Sequence, residues 1–274
     1  MVSGSRTQFR VAIFIGGKAG LPNLSSPRYA LGVTAVLAAA AVIAAAFVKG
    51  AIGFGFPVLG TPLLSLVLDV KVAVVILIVP NIVMDGLQFI RNGAPVATVW
   101  RFAVLLMFGA VGMVVGTRLL VAVSSRTAAL VLGMFMLAFA ALNIVGVTPR
   151  VSPRWERWLS PVVGLFAGLV GGITNVPGTW LAMYFHALGL AKRDFVSSVA
   201  FTFGVYKIVQ LGAVVYYGLL SPALLGYSLA LTLVALGGFA LGLKVQDRLE
   251  QRTFNRALLG FLGLLGVWLV ARNL

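Results

Sequence analysis

The sequence predicts an all-α polytopic membrane protein built from two inverted-topology repeats, each a broken re-entrant helix pair followed by three full transmembrane helices. Three observations lead there. The chain is too apolar to build a water-soluble surface, its apolar residues gather in runs long enough to cross a bilayer, and the order of those runs occurs twice.

Of the 274 residues, 61% are hydrophobic and 10% charged, with a mean hydropathy of +1.07. A soluble domain carries about 25% charged residues. Runs of about 18 or more apolar residues span a hydrocarbon core of ~30 Å. They lack the alternation of a membrane barrel, which leaves helix as the spanning state. There is no cysteine, one histidine and six acidic residues, a supply too small for a thiolate or carboxylate metal cluster. The net charge of +15 sits in short loops between apolar segments, where basic residues set orientation, so no nucleic-acid partner is expected.

Residues 1–29 form a tail with Arg6, Arg10, Lys18 and Arg28. Segment 30–48 is long for a signal-peptide core, and hydrophobicity resumes at once, so it reads as retained. Further apolar segments follow at 56–68, 71–90, 98–121, 127–146, 160–173, 176–188, 195–217, 222–243 and 255–272. Segment 56–68 is short and joined to its predecessor by Gly- and Pro-rich sequence. Segments 160–173 and 176–188 are both short, around Gly171, Gly172, Asn175, Pro177 and Gly178. Clustered Gly and Pro weaken a helix. Interrupted segments at matching places in two halves point to a transporter binding site.

The repeat is visible when 50–64 is set above 168–182. Gly50 meets Gly168, Gly53 meets Gly171, Gly60 meets Gly178, Thr61 meets Thr179 and Leu63 meets Leu181. The first repeat is then 30–146, the connecting loop 147–159 and the second repeat 160–274. If each broken pair enters and leaves on one side, every half has an odd number of crossings and the halves are inverted. The loops 91–101, 147–159, 189–194 and 243–256 then share a face with eleven basic residues. The opposite face holds four, Lys71, Arg118, Arg126 and Arg272, besides the tail. Positive charge marks the first face as cytoplasmic, at the cost of a basic amino terminus outside.

Ionisable residues within spans are costly and are functional candidates by default. Lys49 lies at the first break and Lys207 lies mid-span, one ammonium for each half, suited to an anionic substrate. Asp85 is the acidic residue well inside an apolar segment, a candidate for ion pairing or for a coupling proton. Gly53, Phe54 and Gly55, with Gly172, Thr174 and Asn175, are expected to expose backbone N–H groups at half-helix amino termini. Asn81, Tyr206 and Gln210 complete the expected substrate-binding set. Thr202 is a further polar residue in the same segments, and Gln88 and Gln210 are candidates for equivalent positions. Trp100, Trp155, Trp158 and Trp268 read as interfacial anchors.

At the two breaks the chain resembles the sulfite exporter family TauE/SafE. The carriers of the resemblance are GAIGFGFPVLGTPLL at 50–64, the following helix that ends in Arg91 and Gly93, and GLVGGITNVPGTWLAMYF from 168. The likeness runs over about 35–272. The first half reads Gly53-Phe54-Gly55-Phe56 where the family more often has a run of glycines. The resemblance implies a multi-pass transporter of the bacterial inner membrane that carries sulfite, sulfoacetate or another organosulfonate between inverted repeats.

The function expected is therefore a secondary transporter that exports a small sulfur-containing anion by alternating access. An anion channel and a transporter of an unrelated small carboxylate remain the alternatives. No nucleophile or metal constellation is present, so no enzyme activity, catalytic residue, metal or cofactor is expected. The expected partners are the anion, the lipid bilayer and, as an admissible assembly, a second copy in a homodimer.

Overall fold

The computed structural model describes residues 27–93, 100–144, 150–246 and 251–274. Most of the amino-terminal tail, including Arg6, Arg10 and Lys18, lies outside the described residues. Among those described, all regular structure is helical. In chain order the helices are α1 (Pro27–Ile52), α2 (Phe56–Ser65), α3 (Val70–Ile76), α4 (Ile78–Asn92), α5 (Ala103–Ala122) and α6 (Ser125–Ile144). The second half has α7 (Pro153–Thr174), α8 (Gly178–Ala187), α9 (Lys192–Tyr216), α10 (Pro222–Val245) and α11 (Gln251–Asn273). Seven stretches are long and apolar enough to cross a membrane, with α3 and α4 together making one of them.

The expectation that both members of the second broken pair are short is corrected. α1 has 26 residues and α7 has 22, about 39 and 33 Å at the helical rise. Helix α7 starts earlier than hydropathy indicates because Ser152 and Pro153 open it and polar residues fill its first turns. Proline is favoured at that first position. Only α2 and α8 are half-length, at 10 residues each.

The pairs are hairpins that enter and leave at one end. The Val151 N–H donates to the Ala187 carbonyl at 2.9 Å, which closes the mouth of α7–α8. In α1–α2, Gly60 lies over Ala45 and Gly55 over Val48, as antiparallel neighbours do. Three of the basic loops, around Arg101, Glu156 and Arg193, lie together at one end. Arg101 makes a bidentate pair with Glu156 at 2.7 and 2.7 Å, and Arg193 donates to the Asn92 carbonyl at 2.6 Å. At the opposite end Lys71 reaches the Val121 carbonyl at 3.1 Å and Arg126 holds the carbonyl of Asn273 at 2.6 Å. Trp100, Trp155 and Trp158 are exposed, as interfacial anchors are.

Segment 71–90 is not one straight helix. Pro80 has no N–H to give the Ile76 carbonyl, and the helix breaks at Leu77 between α3 and α4. The Ser228 hydroxyl of α10 donates to that carbonyl at 2.7 Å, so the kink is satisfied from the neighbouring helix.

The packing is led by two helix pairs, α5 on α7 and α1 on α10. Helices in lipid gain nothing hydrophobic by touching one another, so close approach through small residues carries the contact. A Cβ on Gly112, Gly116, Gly164 or Gly168 would strike a backbone carbonyl of the partner helix. Gly50, Gly238 and Gly242 make the same kind of seam between α1 and α10. Helices α4 and α9 then lie together through the middle, each also touching one of these pairs.

Several helix ends in the two halves recur at one spacing. Ile52 and Thr174, Phe56 and Gly178, and Ser65 and Ala187 are separated by the same 122 residues, not by 118. Val70 and Lys192, which open α3 and α9, share that separation.

Candidate functional site

Two polar clusters lie where the hairpin tips pass one another. The first is built on α1 and α4. Helix α1 carries Lys49 in its last turn, where the negative end of the helix dipole favours a cation. The Lys49 ammonium donates to the Asp85 carboxylate and lies 3.4 Å from Asn81 Oδ1. Asn81, Asp85 and Gln88 stand four and three residues apart on α4, hence on one face. All are buried, as is Lys49. Across from Asp85, Gly204 of α9 leaves room: a Cβ there would stand 3.8 Å from the Asp85 Cβ.

Gly53 ends α1 with φ 97° and its N–H bonds back to the Lys49 carbonyl at 2.8 Å. Gly55 follows with φ 103°. A side chain at Gly53 would be strained in that backbone region and would also press on Val196 and Gln88.

The second cluster is built on α7 and α9. Asn175 ends α7 with φ 69°, a left-handed cap that asparagine tolerates, and its N–H bonds to the Gly171 carbonyl at 2.8 Å. Thr174 Oγ1 donates to the Val170 carbonyl at 2.7 Å and accepts the Val176 N–H at 3.2 Å. Lys207, mid-way along α9 and fully buried, donates to Asn175 Oδ1, to the Asn175 carbonyl at 3.3 Å and to Gln210 Oε1 at 2.5 Å. Gln210 Nε2 faces the carbonyls of Gly171 and Gly172, each at 3.4 Å.

The hairpins are tied together inside the protein by Asn175 Nδ2 donating to Thr61 Oγ1 of α2 at 3.1 Å. Asp85 and the two lysines are close enough to act on one another electrostatically. Between α4 and the first half of α9, several buried polar atoms have no protein partner: Asp85 Oδ2, Asn81 Nδ2, both amide atoms of Gln88, and the hydroxyls of Ser197, Ser198 and Thr202.

Gly55 stands at the amino terminus of α2 as expected, while Gly53, Gly172 and Asn175 are placed differently. Gly53 and Asn175 cap the carboxyl ends of α1 and α7, so their N–H groups are used within the helices. Gly172 lies inside the last turn of α7 with its Cα against Gly116 and Thr117 of α5, as a packing contact. The carboxyl ends instead explain where the lysines sit, since freed carbonyls and the negative dipole end attract ammonium groups. Tyr206 turns away from both clusters. Its hydroxyl donates to the Leu105 carbonyl at 2.9 Å, and its ring fills the gap left by Gly109 on α5. Phe54 packs edge-on against Phe195, ring centres 6.2 Å apart. Thr61, Ser197 and Ser198 join the polar seam without having been singled out. Their one sequence signal is hydroxyl side chains inside apolar runs, which also serve as ordinary helix contacts.

An open groove runs along α1, α2 and α11, lined by Leu37, Ala41, Ala44, Leu59, Leu63 and Phe261. It is apolar throughout and does not reach either cluster.

The family model "Sulfite exporter TauE/SafE" matches residues 37–269. No curated protein and no solved structure matches the chain at a significant level. The match takes in both polar clusters, all of α2 to α10 and most of α1 and α11. With seven apolar helices long enough to cross a bilayer, the chain is a multi-pass membrane protein and belongs to the sulfite exporter TauE/SafE family of transporters.

Proposed function

We propose that the chain is a secondary transporter of the bacterial inner membrane that exports sulfite or an organosulfonate. The anion binds where the α1–α2 and α7–α8 hairpins pass one another. Alternating access follows from rocking one inverted repeat against the other around that site. The constant 122-residue separation of the helix ends supports the repeat. The two leading contacts, α5 on α7 and α1 on α10, join one half to the other and support it further. The family match supports the sulfur-containing cargo.

One observation carries the reading. Lys207 is fully buried mid-span, and its hydrogen-bond partners are neutral amide and backbone oxygens. Among the described residues no carboxylate lies within salt-bridge distance of it. A cation in a low-dielectric interior calls for a counter-charge, and an anionic oxygen is a stronger acceptor for an ammonium than an amide oxygen.

The test is counterflow in proteoliposomes of the purified protein. Saturable sulfite or sulfonate uptake, accelerated by the same anion inside and lost in Lys207→Met, is the expected result. A linear single-channel current, or full activity in Lys207→Met, overturns the proposal.

A further inference from the structure

The charge of the cargo can be read from the buried charges. Among the described residues Lys49, Asp85 and Lys207 are the charged side chains buried in the membrane core. Lys49 and Asp85 form an ion pair and cancel. Lys207 is left. Its charge state follows from its contacts: three oxygen acceptors surround Nζ, namely Asn175 Oδ1, the Asn175 carbonyl and Gln210 Oε1. An ammonium has three N–H donors to meet three acceptors, whereas a neutral amine has two and would present a lone pair to the third. The Gln210 amide is held in this orientation because its Nε2 faces two carbonyls, and the Asn175 backbone oxygen has no alternative orientation. The interior therefore holds one uncompensated positive charge.

Resting on the anion-transport reading above, we infer that the cargo is a monovalent anion, seated on the Lys207 ammonium in place of amide oxygen, with Lys49 and Asp85 held as a neutral pair that fixes the charge of the site at one. A monoanion brings the buried charge to zero in the loaded carrier. A dianion would leave one negative charge uncompensated in the same interior, and that costs most where water is excluded. Hydrogensulfite and simple monosulfonates fit this account better than doubly charged cargo. The empty carrier returns with its positive charge, so an inside-negative potential drives the cycle toward export.

Two matched pairs of anions test this: methanesulfonate against sulfate, and isethionate against sulfoacetate. Members of each pair are alike in size and differ by one charge. Binding is measured on purified protein by calorimetry or thermal shift. The wild type is expected to favour the monoanion of each pair by about tenfold or more, since one charge at contact distance is worth more than 1.4 kcal/mol in a partly desolvated site. Asp85→Asn raises the buried charge to two and should move the preference toward the dianion by a similar factor. Lys49→Met/Asp85→Asn returns it to one and should keep the wild-type monoanion preference, and where Asp85→Asn fails to fold the wild-type ranking within the two pairs decides. Lys207→Met, with a buried charge of zero, should bind neither.

Tighter dianion binding by the wild type sinks the charge inference and leaves anion transport standing. An unchanged monoanion preference in folded Asp85→Asn sinks it too. If the wild type binds no anion of either pair and moves none in proteoliposomes, the transport reading itself falls.

Discussion

Asp85 on α4 and Lys207 on α9 stand at the same 122-residue separation that relates the ends of their helices, yet they carry opposite charge. Gln88 and Gln210 share that separation, one turn further along. The two halves thus place the same amide beside a carboxylate in one and an ammonium in the other. Gly204, one turn before Lys207, lies against Asp85, so α9 passes beside the carboxylate while the Lys207 ammonium stays outside salt-bridge distance of it. Lys49 in α1 has no basic counterpart at this register, because Gly171 occupies the place. It is this third charge that neutralises Asp85 and leaves Lys207 without a carboxylate.

Removing Lys49 alone should therefore be far worse than removing the pair. Lys49→Met leaves a buried carboxylate unpaired, at a cost of about 3–5 kcal/mol, while exchanging both members for neutral groups is often close to neutral. Lys49→Met/Asp85→Asn should recover most of that loss. A thermal or denaturant midpoint in detergent measures it. A double variant as unstable as the single one would mean that the pair does not hold the α1 end in place.

The kink at Pro80 gives a second cycle. Ser228 supplies the bond that Pro80 withholds from the Ile76 carbonyl. Ser228→Ala should cost about 1–2 kcal/mol, the penalty of an unmet buried acceptor. Where position 80 can donate its own N–H, as in Pro80→Ala, the same change should cost much less. Equal costs in both backgrounds would show that the two helices are not coupled at this point.

The glycine seams should be intolerant in a predictable pattern. Gly116→Leu pushes a side chain into the backbone of α7, and Gly242→Leu does the same against α1. Gly226 has open space around its Cβ position on the exposed start of α10. Gly226→Leu should fold normally, whereas the other two should lose folded yield in membranes. Fluorescence-detected size-exclusion profiles would separate these outcomes.

How much of this was legible in the sequence depended on the physical signal. Span positions were, because an uninterrupted apolar run has few alternatives: α5, α6, α9, α10 and α11 fall within a few residues of their expected places. The lysines were, because a charge inside such a run has no cheap explanation. The length of α7 was not, since its first turns carry Arg154, Glu156 and Arg157 and hydropathy reads them as loop. The 122-residue spacing of the helix ends was not, because it is set by where helices start and stop rather than by matching residue types. The direction of Tyr206 was not, since it depends on a hole at Gly109 nearly a hundred residues earlier. Pairing of Lys49 with Asp85 was one of two open outcomes, and only the approach of α1 to α4 decides it.

The hairpin geometry predicts a specific crosslink. Val151 and Ala187 are joined through their backbones at the mouth of α7–α8, and the chain contains no cysteine of its own. Val151→Cys/Ala187→Cys should form a disulfide on mild oxidation, because backbone-bonded neighbours lie within the Cα separation a disulfide accepts. Pairing each of them with a cysteine at Val121 should give none, as that residue lies at the opposite end with Lys71.

Sidedness follows from the same ends. Arg126 holds the carboxyl-terminal residues Asn273 and Leu274 at the end away from Arg101 and Glu156. The end with most of the basic loop residues faces the cytoplasm, so the carboxyl terminus should face outward. In intact cells of a bacterial host, a membrane-impermeant thiol reagent should label Leu274→Cys without permeabilisation. Arg150→Cys, exposed in the loop before α7, should be labelled only after the inner membrane is opened. The reverse order would place the basic loops outside and overturn this sidedness, while the export direction, set by the membrane potential, would not change.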